Sequence, residues 1–240
     1  MISVMQKKKP FIFLDPLFRL KTKKGFGVHS PFVFNFITKV LNCNSAYYSF
    51  QKLDNIRRTL KRQHYPLRIK SRKYYRLLFR IANYVKSSVI LEIGNSSALP
   101  SIYLTTPNAN ASVYIINLSF DLIPAVESTA EILSVKLSGL KTVDSVVDAE
   151  QFLSGIASVD ILYLSGNGDM SVDDFFSMVS PKLHNDSLLI VEDISSSRAL
   201  NLYWKKICDY PGVSVTLDLK QFGIAFFSSK LNKENYRLYF

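Results

Sequence analysis

The chain has 240 residues, 48% of them hydrophobic and 20% charged, which supplies ample apolar material for a packed core and excludes a disordered or low-complexity protein. No stretch approaches the roughly 18 uncharged apolar residues a membrane helix needs, and Phe11-Ile12-Phe13-Leu14, ended by Asp15-Pro16, is too short for a signal-peptide core. The net charge of +11 is uneven: residues 1–86 carry 20 Lys/Arg against Asp15 and Asp54 (net +18), residues 87–240 carry 10 Lys/Arg against 17 Asp/Glu (net −7). Such a break predicts a basic helical N-terminal extension, residues 1–86, ahead of a second domain, residues 87–240. The basic part suits either an acidic face of its own partner domain or an anionic target such as nucleic acid, a lipid surface or a glycan. Cys43 and Cys208 stand in unrelated segments without metal-type spacing, so reduced, half-buried thiols and a cytoplasmic setting are expected.

In chain order, Ser30-Pro31 is a helix start, with a capping hydroxyl followed by a proline that wastes no donor. The helix it opens is predicted to reach about Asn42. A second helix is expected within 45–65, and a third over 71–85, where Tyr74, Leu77, Leu78, Ile81 and Val85 share a face opposite Arg72, Lys73, Arg76 and Arg80. From Ser88 short apolar runs alternate with helical stretches. Strands are predicted at 88–93, 112–117, 141–146, 159–165, 186–192, 212–218 and 222–228, and helices at 98–106, 121–137, 148–156, 171–182 and 196–209. That alternation means right-handed crossovers and a mostly parallel sheet covered on both faces. The last two strands are separated by about two residues, which only an antiparallel hairpin allows.

Val89-Ile90-Leu91-Glu92-Ile93-Gly94 followed by Asn95-Ser96-Ser97-Ala98 reads as a buried strand handing over to a helix. Backbone N–H groups at such a carboxyl edge are where open α/β sheets bind small ligands. Seven strands, a terminal hairpin and the Glu-x-Gly turn resemble the class I S-adenosylmethionine-dependent methyltransferase fold. The runs Gly25-Phe26-Gly27-Val28-His29-Ser30-Pro31, Tyr74 to Tyr84 and Ser165-Gly166-Asn167 are similar to a bacterial methyltransferase-like group, typical of Bacteroidetes, with a basic helical extension. The likeness runs from about Leu20 to Tyr236 and implies a Rossmann-like sheet and S-adenosylmethionine as cofactor.

Carried over residue by residue, the resemblance implies that Gly94 lets the backbone approach the methionine part of the cofactor, and that Glu92 receives its amino group. Asn95 and Ser96 would line the turn, where a further glycine is usual. Asn117 stands where an acid takes the ribose hydroxyls, a loss worth about 1.5–3 kcal/mol, roughly tenfold to over a hundredfold in affinity. Ser165 replaces the acid that, with another after the fifth strand, holds a divalent metal in related enzymes. Glu192-Asp193 keeps only the second, so no metal is expected. His29 and Asp193 are the candidate catalytic residues, a structural role for His29 being the commoner one, and Ser165 and Asp193 complete the cofactor contacts that the resemblance implies. The aromatic residues Tyr47, Tyr48, Phe50, Tyr65, Tyr74 and Tyr75 either stack on bases or anchor helices to the sheet. Two functional readings follow. One is a metal-independent methyltransferase acting on an unidentified small molecule or glycan. The other is an inactive methyltransferase-like protein that docks on an anionic partner through its basic part.

Overall fold

The computed structural model describes residues 28–62, 69–94, 97, 99–117, 139–142, 146–166, 170–238 and 240. Helix α1 (Pro31–Phe36) begins at Ser30, whose hydroxyl accepts from the Val33 N–H at 3.5 Å, and continues as a π-helical turn, Ile37–Leu41. The next helices are α2 (Ser49–Arg62) and α3 (Arg72–Val85), the latter capped by the Ser71 hydroxyl accepting from Tyr74 N–H at 3.3 Å. Strand β1 (Val89–Gly94) leads into α4 (Leu99–Thr105) and β2 (Ser112–Asn117). Then come β3 (Gly139–Thr142), α5 (Val146–Leu153), β4 (Val159–Ser165) and α6 (Val172–Val179). The chain closes with β5 (Leu183–Glu192), α7 (Arg198–Asp209), β6 (Val215–Asp218), β7 (Phe222–Phe226) and β8 (Glu234–Arg237).

Among the described residues the strands form one sheet in the order β3-β2-β1-β4-β5-β7-β6-β8. The first five run parallel, and β7 is antiparallel to both β5 and β6. This is the expected seven-stranded arrangement with its terminal hairpin, extended by β8, which pairs parallel to β6. The eighth strand has no strong signature: Glu234-Asn235-Tyr236-Arg237 is a half-buried edge with a single aromatic residue. The third strand is described over Gly139–Thr142, overlapping the predicted 141–146, whose residues 143–145 lie outside the described residues, and the following helix, predicted from 148, already includes Val146. The helix predicted over 121–137 lies outside the described residues. His184 is the second residue of β5, and its Nε2 lies 3.1 Å from Asp160 Oδ1. Asp160 also accepts from the Ser88 and Val89 N–H groups at 2.7 and 2.8 Å, tying together the amino ends of β1, β4 and β5.

Strand periodicity assigns the two faces of the sheet. Leu91, Ile93, Leu162, Leu164, Leu189 and Val191 face a core completed by α5, α6 and α7. Ile90, Ile161, Tyr163, Leu188, Ile190 and Ile224 face the other, completed by α1 to α4. The basic N-terminal helices are therefore one of the two layers covering the sheet. Phe36 lies edge-on to Phe226 at 5.2 Å, and Tyr74 edge-on to Phe222 at 5.1 Å, ring contacts that seat α1 and α3 on β7. Tyr74 is a buried anchor of this kind, Tyr75 and Phe50 are buried against Tyr103 and against Tyr47 and Phe79 within the helical layer, Tyr48 is exposed, and Tyr65 lies outside the described residues. Both cysteines are free and half-buried.

Candidate functional site

The carboxyl ends of the central strands stand in register. Gly94 closes β1 opposite Asn117 of β2 and Ser165 of β4, while Leu164 pairs with Val191, placing Glu192 next along β5. The row Asn117, Gly94, Ser165, Glu192 thus crosses the point between β1 and β4 where strand order reverses, the crevice at which open α/β sheets take ligands. Asn95 and Ser96, the next predicted site residues, lie outside the described residues.

Gly94 has φ +117°, and a Cβ built on it would lie 2.1 Å from the Ser165 carbonyl oxygen and 2.9 Å from that of Gly166. Only glycine lets β1 end this close to the β4 backbone. Gly166, at φ +75°, has open space where a side chain would stand. One glycine therefore closes the strand ends together, and the other leaves room above them.

Glu92 lies on the Ile90 face and is fully buried, its carboxylate accepting the Ser101 hydroxyl of α4. It joins the end of β1 to the helix that follows the turn. A charge at this depth is stable only with such partners.

The β5 end carries the principal cluster. Ser165 Oγ donates to Glu192 Oε2 at 2.7 Å. Lys70, from the link between α2 and α3, places its ammonium 3.3 Å from Glu192 Oε1 and in a closer ion pair with Asp193. The Lys70 and Glu192 side chains are each 13% exposed and Asp193 29%. Asp193 adopts φ +55°, a left-handed conformation that aspartate tolerates better than most residues. The Lys70 main chain is held as well: its N–H donates to Tyr75 Oη at 3.3 Å, and its carbonyl accepts from Arg57 at 3.4 Å. Nothing in the sequence singles out Lys70 beyond its basic neighbourhood. The available signal was two adjacent acids after the fifth strand with no third acid nearby, a pair that needs a countercharge.

Beneath this cluster Tyr74 and Tyr163 share a hydrogen bond of 2.7 Å between hydroxyls, both fully buried. Burial, reinforced by the Glu192 charge, pushes both phenols well above the ordinary tyrosine range, and burial raises Tyr75 and Tyr103 likewise. These phenols stay protonated in the folded chain at pH values where the unfolded chain, with pKa about 10, releases its protons. Their contribution is fully present below about pH 10 and is lost as pH rises beyond it. Urea unfolding should therefore show a stable plateau on the neutral side and a steep fall above about pH 10. A fall already complete near neutrality would contradict this placement.

His29 is exposed, one residue before the Ser30 cap of α1. Phe32 and Phe36 of that helix pack on Phe226, which pairs with Leu188, whereas Phe222 at the other end of β7 pairs with Glu192. The structure brings Gly94, Ser165, Glu192 and Asp193 together and leaves His29 outside their cluster. Among the described residues no three His, Cys, Asp or Glu side chains gather as a metal site. No helix among them is long and apolar enough to cross a membrane.

No family model and no curated protein matches the chain in sequence. Solved structures do match in fold. An O-methyltransferase from Bacillus cereus in complex with S-adenosylhomocysteine superposes with a TM-score of 0.60 at 14% identity, covering 79% of this chain and 96% of its own. A methyltransferase from Podospora anserina with the same ligand gives 0.59 at 13%, covering 80% and 93%. An O-methyltransferase from Streptomyces achromogenes, involved in tomaymycin synthesis and solved with S-adenosylmethionine, gives 0.55 at 15%, covering 77% and 92%. The chain has the class I methyltransferase fold.

Proposed function

We propose that this protein is an S-adenosylmethionine-dependent methyltransferase that works without a metal ion on a small acceptor. The observation that carries the metal-free reading is the Lys70 ammonium lying between Glu192 and Asp193. A side chain there already supplies the positive charge that a divalent ion would bring to those two carboxylates.

The donor set is compatible with the cofactor. Gly94 and Gly166 keep the backbone at the switch point bare, and open space lies beside Gly166. In this reading Asn117, which ends β2 in register with Gly94, accepts a ribose hydroxyl, and Ser165, in register on β4, borders the methionine end. Glu92 supports the turn from beneath through Ser101. The bound cofactor supplies a methyl group on a sulfonium, a good leaving group. The chain therefore needs little acid–base machinery and mainly has to position and exclude water. Asp193 follows β5 at the same edge, with Lys70 paired to its carboxylate.

Calorimetric titration of S-adenosylhomocysteine, with and without EDTA, tests both parts. Saturable binding near the micromolar range, unchanged by the chelator, is the expected result. Silence at millimolar ligand overturns the cofactor reading, and EDTA-sensitive binding overturns the metal-free one.

A further inference from the structure

A second cavity lies away from the switch point, on the helical layer. It is a half-open cavity with a volume of about 700 Å³, lined by the 42–45 loop, Phe50 of α2, one side of α3 and Phe240. Arg72, Lys73, Arg76 and Arg80 of α3 all line it. Their heads are placed by aromatic faces: Arg76 lies 4.6 Å over Phe50, Lys73 lies 4.0 Å over Phe240, and Arg80 is 6.0 Å from the latter ring. Asp54 is the acid beside this row, and it is occupied by Arg76 Nε at 3.1 Å and by the Tyr103 hydroxyl at 3.3 Å. Arg80 donates through Nη1 to the Cys43 carbonyl, yet its Nε is buried with no hydrogen-bond partner. Burial also lowers the Arg80 pKa, the mark of a cation with part of its water removed.

We infer that this cavity binds a phosphorylated small molecule, its phosphate against Arg72 and Arg80 and its apolar part between Phe50 and Phe240. Four cations around one concave space focus a positive field there. Guanidinium forks match phosphate oxygens two at a time, and the unpartnered Arg80 Nε supplies a donor that such an oxygen would satisfy. The volume is that of a small-ligand pocket lined by aromatic groups with a few convergent polar ones. Duplex nucleic acid or a lipid surface would instead require an extended, open stripe. The inference does not depend on the cofactor reading, because none of these residues belongs to the strand-end row.

Cys43 is a built-in reporter. Although its own burial pushes its pKa up, hydrogen bonding with Ser45 (3.3 Å) and the Arg80 charge bring it below the ordinary thiol value, whereas burial raises Cys208. Inorganic pyrophosphate serves as the probe, with sulfate at equal ionic strength as control. Alkylation of each cysteine by iodoacetamide is read by peptide mapping, and pyrophosphate binding by calorimetry. Pyrophosphate should slow Cys43 alkylation roughly fivefold or more and leave Cys208 unchanged, and R72Q/K73Q, at two exposed positions, should weaken binding about tenfold or more. R80K, which keeps charge but loses the fork, should also weaken it. Equal protection by sulfate, unaltered binding in R72Q/K73Q, or no heat at millimolar pyrophosphate would overturn the inference. S-adenosylhomocysteine binding, measured on the same samples, stands or falls separately.

Discussion

Gly94→Ala should lower the unfolding free energy by about 4 kcal/mol and abolish binding of S-adenosylhomocysteine. Two costs add. A non-glycine residue held at φ +117° sits where L-residues are strained by roughly 1–3 kcal/mol. Its Cβ would also meet the Ser165 carbonyl oxygen at 2.1 Å, and that obstacle is backbone in a central strand rather than a flexible side-chain tip. Overpacking of this kind costs about 1–3 kcal/mol. Relief requires β1 and β4 to part at their carboxyl ends, which is the row Asn117, Gly94, Ser165 that frames the crevice. A typical domain has about 5–15 kcal/mol to spare, so the variant should remain folded and its ligand loss can be read directly. Urea unfolding and calorimetry on the same preparation decide it. A variant as stable as the parent would mean that the strand ends are not packed as described.

The elements that the sequence predicts well are those whose signal is local. Val89-Ile90-Leu91-Glu92-Ile93-Gly94 is apolar on both faces because helices cover the sheet on both sides, and its end at glycine coincides with a real steric demand. The terminal hairpin follows from the short link alone. β8 escapes because an edge strand has no obligation to be apolar, and its partner β6 lies across the intervening β7 in sequence. Within the site, the altered residues were readable while their partners were not. Glu92 bonds the Ser101 hydroxyl of α4 from a fully buried position, a partner that no spacing in the sequence marks. Lys70 joins Asp193 across 123 positions of sequence, and no periodicity marks a contact that depends on how the helical layer settles on the sheet. That bridge uses one of the 20 cations that precede residue 87. All four α3 cations have another setting, around the cavity at Phe240.

Lys70→Ala should create a divalent-cation site at the position that the Lys70 ammonium fills in the parent protein. The substitution leaves Glu192 and Asp193 facing each other at the end of β5, with the Ser165 hydroxyl already bonded to one of them. Removing one member of a buried ion pair costs about 3–5 kcal/mol, because the remaining charges lose their compensation. Asp193 is 29% exposed, so water recovers part of that, and a loss of about 2–3 kcal/mol is expected. Two carboxylates and a hydroxyl are hard oxygen donors, weakly suited to Mg²⁺ or Mn²⁺ once the ammonium is gone. Mn²⁺ at ten times its dissociation constant would return about 1.4 kcal/mol. The signature is therefore a variant whose urea midpoint rises with Mn²⁺, beside a parent and a Lys70→Arg control that ignore it. If Lys70→Ala unfolds at the parent's midpoint and is indifferent to Mn²⁺, the ammonium is not the counterion of this site. Metal-free methyl transfer would then lose its support, while the fold and the phosphate cavity would be untouched.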